Sequence, residues 1–215
     1  MTLLLFRHTP ENVAIVMDTL ATSAEGEPLN FMSKCRAMPH LKLAVAWTGV
    51  GTFGLRWCVA LEEQVLSRDI EMLNEYAPEV ISRIWKDLGE EQDLRGMTST
   101  IYHFGLSERT GQYVGYAYRS TKGFVSDPIP YGFGVKPPLA ALDELVEPDD
   151  VPDWITLAAA IRAEQDALPA GQRVSVGGAL TLTMLREGSA ITTEVHRFDD
   201  FDAMWNEMNF INSSL

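Results

Sequence analysis

The spacing of the apolar residues switches in blocks along this chain, and that order limits the fold more than any other feature. The first block has the character of extended chain. Thr2 to Phe6 is an apolar run, Thr9-Pro10-Glu11-Asn12 supplies turn chemistry, and Val13 to Met17 is a second run ending at Asp18, which predicts a hairpin. Ser23 to Asn30 carries Gly26 and Pro28 and reads as a loop. Extended runs resume over Phe31 to Ala37 and over Leu41 to Trp47, where Leu41, Leu43, Val45 and Trp47 share one face. These two hairpins are expected to build one continuous antiparallel sheet.

After Gly49-Val50-Gly51 the period becomes helical, because Phe53, Trp57, Leu61 and Val65 recur every four residues. A second helix is expected from about Pro78, in its first turn, to Leu88, with Val80, Ile81, Ile84, Trp85 and Leu88 on its apolar face. Strand character returns at Thr98 to Phe104 and Gln112 to Tyr118, and runs on less clearly from Phe124 to Tyr131. Residues 136–152, with four prolines and an acidic cluster, read as a long surface connection. A third helix runs from Asp153 as N-cap to Leu168, a hairpin follows over Val174 to Leu185 and Ile191 to Phe198, and Phe201 to Met208 closes as a short helix. Blocks of strands alternating with blocks of helices argue against a doubly wound parallel sheet. They predict one α+β domain over residues 1–215, with antiparallel sheets packed face to face and helices outside.

Composition narrows the function classes. With 46% hydrophobic and 22% charged residues the chain is globular, and its net charge of −13 repels nucleic acid and anionic membrane. Its longest apolar stretches fall well short of the roughly 20 residues of a membrane span, and the N-terminus lacks the pattern of a secretory leader, so a cytoplasmic location is expected. Cys35 and Cys58 sit among apolar neighbours and read as reduced core residues. His8, His40, His103 and His196 are scattered without metal spacing, and neither a metal nor a cofactor is expected. Gly49-Val50-Gly51-Thr52-Phe53-Gly54 matches a dinucleotide fingerprint in spacing only. It lacks the βαβ context, so it reads as a turn that lets helix and sheet approach closely.

The chemistry concentrates at the N-terminus. Once Met1 is removed, Thr2 carries a hydroxyl and a free α-amine with a pKa near 8, so one residue supplies both nucleophile and general base. Such a site needs a cation to keep the amine's pKa low and an acid to hold that cation. Asp18 and Lys34 are the candidates, and Thr2, Asp18 and Lys34 are equally spaced, sixteen residues apart. A hairpin sets the start of its first strand beside the end of its second, which brings Asp18 to Thr2.

Thr2, Asp18-Thr19-Leu20-Ala21-Thr22, Ser33-Lys34 and the run from Leu41 to Gly51 leading into a helix together resemble the catalytic β-subunits of the proteasome and their simpler bacterial relatives. The helix pair, the central strands, Gly132-Phe133-Gly134 and Gly177-Gly178 fall in the same order. The resemblance implies the four-layer αββα sandwich of N-terminal nucleophile hydrolases, with Thr2 as nucleophile, Lys34 as the pKa-lowering cation and Asp18 as its partner. It also implies that Ala21, Thr22, Thr48 and Gly49 offer backbone groups to an extended peptide, that the N–H near Gly49 is an oxyanion donor, and that Ala46 shapes the primary specificity pocket. Two positions depart from the pattern: Phe133 replaces a serine between glycines, and Arg173 replaces an acid before the paired glycines, with Ser175 offering a hydroxyl nearby. The expected activity is threonine-type peptidase in stacked or open rings of identical subunits, acting on peptide or unfolded protein, with room for an ATPase partner. A silent scaffold of the same fold and a small-molecule amidase using the same nucleophile are the alternatives.

Overall fold

The computed structural model describes residues 2–23, 26–63, 67–140, 142–146, 153–169 and 171–212. Strands β1 (Leu4–His8), β2 (Asn12–Asp18), β3 (Leu20–Thr22), β4 (Pro28–Phe31), β5 (Cys35–Met38) and β6 (Leu43–Thr48) precede helices α1 (Gly51–Glu63) and α2 (Ile70–Glu91). Next come β7 (Thr100–Leu106), β8 (Tyr113–Arg119), β9 (Ser126–Ile129), β10 (Gly132–Lys136), the single turn α3 (Leu142–Leu145) and α4 (Trp154–Asp166). Strands β11 (Ala179–Arg186) and β12 (Ser189–Arg197) and helix α5 (Phe201–Asn212) complete the order. Among the described residues this makes a mixed α+β protein with two five-stranded sheets, β10-β1-β2-β11-β12 and β5-β6-β7-β8-β9, and the pair β3-β4, all antiparallel.

Alternation along the strands sorts the core into three clusters. On β6, Leu43, Val45 and Trp47 turn toward α1 and α2, where Phe53, Trp57, Leu61, Leu73 and Ile81 meet them. Ala44 and Ala46 turn the other way, into a cluster that Leu4, Ile15 and Met17 of the first sheet share with Tyr102, Phe104 and Ala117 of the second. The outer face of the first sheet, with Leu3, Leu5, Val16 and Leu180, is covered by Leu157, Ala158 and Ile161 of α4. The glycine-rich turn has the packing role its sequence suggests. Gly49 has φ +98°, and a Cβ there would overlap the Thr98 carbonyl, while a Cβ on Gly54 would overlap the Trp47 indole.

Several boundaries differ from the sequence reading. The two N-terminal hairpins do not form one sheet: β1-β2 and β5-β6 lie in different sheets, separated by β3-β4. The expected loop from Ser23 to Asn30 includes the start of β4, which pairs back on β3. Helix α2 begins at Ile70, because Asp69 caps it by accepting the Met72 amide (2.9 Å). Pro78 therefore sits inside the helix and not in its first turn. The connection after β10 starts buried, since Leu139 packs with the α4 cluster; residues 147–152 and Val65 lie outside the described residues. Asp153 does cap α4, accepting the amides of Ile155 (3.1 Å) and Thr156 (3.2 Å).

Candidate active site

Asp18 ends β2 and has no exposed surface. Leu3, one residue before β1, sits across the hairpin, and its amide donates to Asp18 Oδ1 (3.0 Å). Lys34, 3% exposed, donates to the same oxygen (2.9 Å) and to the Leu20 carbonyl (2.5 Å). Its own carbonyl accepts the Trp47 amide (3.0 Å), which fixes the residue just ahead of β5. The second carboxylate oxygen accepts the Gly177 amide (3.3 Å). Gly177 is held in turn by the Leu20 amide, and Gly178, at φ +77°, leaves room that a Cβ would take from the Thr19 hydroxyl. The pair is thus clamped between the β2-β3 corner and the segment leading into β11.

Burial dominates the electrostatics. It pushes the Asp18 carboxyl up and the Lys34 ammonium down, and each partner pulls the other back toward its charged form. A buried pair of this kind persists because its polar atoms are satisfied, here by two backbone amides and one carbonyl. Thr2 is one residue from the amide that Asp18 accepts, and it is 5% exposed.

Of the other residues singled out by sequence, Ala21 and Thr22 lie half-buried on β3, opposite Asn30 and Pro28 of β4. Among the described residues the other edge of β3 carries no strand. Thr48 ends β6, 2% exposed, and Gly49 opens the turn into α1. Ala46 has no exposed surface and faces the cluster between the large sheets, opposite Cys35. Phe133 pairs with Arg7, toward the far end of β1, and stacks on Trp154. Arg173 is exposed, with its amide on the Pro169 carbonyl, and Ser175 lies near Gly26. Among the described residues none of these three bonds Asp18 or Lys34.

Register brings in residues the sequence did not single out. Lys136 sits opposite Leu4 and donates to the Thr48 hydroxyl (2.8 Å), so a second lysine stands near the Thr2 end of β1. Tyr102 faces the same gap, its hydroxyl raised in pKa by burial and drawn back by Arg119, Thr100 and Thr48. Both depend on strand pairing that no local pattern encodes. Among the described residues no three His, Cys, Asp or Glu side chains are grouped to hold a metal. No helix among them is long and apolar enough to cross a membrane. No protein-family model matches the chain, and no curated protein matches it either.

Proposed function

We propose that this protein is a threonine-type N-terminal nucleophile hydrolase that cleaves amide bonds through Thr2, with the four-layer αββα arrangement that its resemblance to proteasome β-subunits implies. The observation that carries the reading is the buried Asp18–Lys34 pair fastened to the amide of Leu3, next to Thr2. In this reading Thr2 has a free α-amine, which loss of Met1 provides. The Thr2 hydroxyl attacks the substrate carbonyl carbon and its proton passes to the amine. The oxyanion accepts from the N–H near Gly49. The C–N bond then breaks, the amine returns the proton to the leaving nitrogen, and an ester to Thr2 remains. Water adds to the ester by the reverse proton path, releasing the acid and restoring the hydroxyl.

Lys34 is the positioning cation. Its charge beside the α-amine favours the neutral, proton-accepting form, and Asp18 keeps the ammonium in place. On its edge away from β4, β3 pairs with no strand among the described residues, and although Leu20 there is held by Gly177 and Lys34, the part beyond it supports added-strand recognition of an extended peptide, with Ala21 and Thr22 supplying backbone groups. Assembly as rings of identical subunits, with or without an ATPase, belongs to the same proposal. A scaffold without activity is favoured by one observation, the low exposure of Thr2. Measuring amide hydrolysis separates the two readings. Thr2→Ala should abolish turnover and leave the fold intact, and Lys34→Ala should come close to it; undiminished turnover in pure Thr2→Ala protein rejects the nucleophile.

A further inference from the structure

A cavity of about 560 Å³, not lined by Asp18 or Lys34, opens between the ends of the two large sheets. Strand alternation decides what faces it. On β1 and β10 the inward side chains are Leu4, Phe6 and Lys136; on the facing sheet Thr48, Thr100 and Arg119 stand in one row across β6, β7 and β8. Leu4, Phe6 and Ile129 give the cavity apolar walls, and Lys136 and Arg119 give it charge.

That charge is not balanced locally. Arg119 and Lys122 share one carboxylate, Asp127. Lys136 has the Thr48 hydroxyl as its partner and, among the described residues, forms no ion pair. Burial, with Arg119 adding a like charge, pushes its pKa down. In a chain of net charge −13 this is a local excess of cations over an apolar chamber. A half-buried ammonium with one hydroxyl partner keeps donors free for an anion, whose charge-assisted hydrogen bonds are the stronger kind. One uncompensated ammonium with hydroxyls around it suits a singly charged head, and the apolar walls suit a hydrocarbon body.

We infer that this cavity binds the carboxylate of a ligand with an aliphatic or acyl body, with Lys136 as the principal contact and Arg119 as the second. Its bearing on catalysis rests on the reading of Thr2 as nucleophile. Lys136 lies opposite Leu4, two residues or about 7 Å of extended chain from Thr2. On that reading the amides cleaved carry a carboxylate that Lys136 holds.

Hexanoate tests the site, with hexanamide as its neutral counterpart, each titrated into the full chain at constant ionic strength by calorimetry. Saturable binding of hexanoate, at least tenfold tighter than hexanamide, is expected. Lys136→Met should weaken hexanoate about tenfold or more, as loss of a charge-assisted hydrogen bond does, and Arg119→Gln should weaken it by less. Melting curves establish that each variant is folded, and Lys136→Gln replaces Lys136→Met if the latter is not. Thr2→Ala should bind hexanoate as the wild type does, so failure of the nucleophile leaves this result standing. Equal binding of acid and amide, no saturable binding, or wild-type affinity in the folded Lys136 variant overturns the inference.

Discussion

Replacing Lys34 by methionine strips the buried Asp18 carboxylate of its counter-charge, and the size of the effect follows from the surroundings. Asp18 is fully buried and Lys34 is 3% exposed, so water cannot replace the ammonium without local opening. Breaking a buried pair from one side costs about 3–5 kcal/mol. The amides of Leu3 and Gly177 still hold the carboxylate, which places the cost near the lower end, about 3 kcal/mol. With a urea slope of about 3 kcal/mol/M, the midpoint should fall by about 1 M. Lys34→Met/Asp18→Asn removes the stranded charge and keeps an acceptor for Leu3, and it should recover at least half of the loss. The sign with pH is fixed by burial, which raises the Asp18 pKa in the folded state. In Lys34→Met that group favours the folded state below the unfolded carboxyl value, and the benefit is lost as pH rises through the folded value. The single variant should therefore approach the double variant near pH 4 and fall behind it at pH 7. A midpoint shift under about 0.3 M, or a double variant weaker than the single, would refute the account of the pair.

Three further outcomes follow from packing and burial. His103 accepts a hydrogen bond from the Trp57 indole (2.7 Å), has no exposed surface, and is pushed down to about 3 by burial. The unfolded chain binds its proton first, so below pH 6.5 stability should drop by about 1.4 kcal/mol per unit until about pH 3, a slope that His103→Phe should flatten in thermal melts. Cys35 and Cys58 are buried, with both thiols pushed up to about 12, so neither should react with a thiol reagent at pH 8 until urea unfolds the chain, when both react. Gly54→Ala drives a methyl into the Trp47 indole and should cost about 1–3 kcal/mol in urea unfolding; a neutral result would contradict the close approach of α1 to β6.

Much of this fold is legible wherever a pattern is local. The four-residue stripe of α1, the Asp153 cap and the shared face of Leu43, Val45 and Trp47 each follow from the side chains that must be buried or paired. Pro78 misleads because proline favours a first turn, whereas here α2 starts two turns earlier under the Asp69 cap. The assignment of β1-β2 and β5-β6 to separate sheets is invisible locally, because alternation names a strand's faces and not its neighbours. The candidate site divides the same way. Asp18 follows from hairpin logic and Lys34 from its equal spacing and the family resemblance, and the two meet at 2.9 Å. Lys136 and the Gly177 amide arrive through register between segments more than a hundred residues apart, and only the folded chain brings them in.

Mass spectrometry of the intact protein reports on Thr2 most directly. The protein purified from its own cells is weighed intact, before and after treatment with a peptide epoxyketone, a reagent that needs the hydroxyl and the free amine of one residue. A Thr2 nucleophile requires loss of Met1 and one adduct, mapped to Thr2 and missing in Thr2→Ala. Retention of Met1, or an untouched mature N-terminus under conditions that modify a known threonine hydrolase, would contradict it.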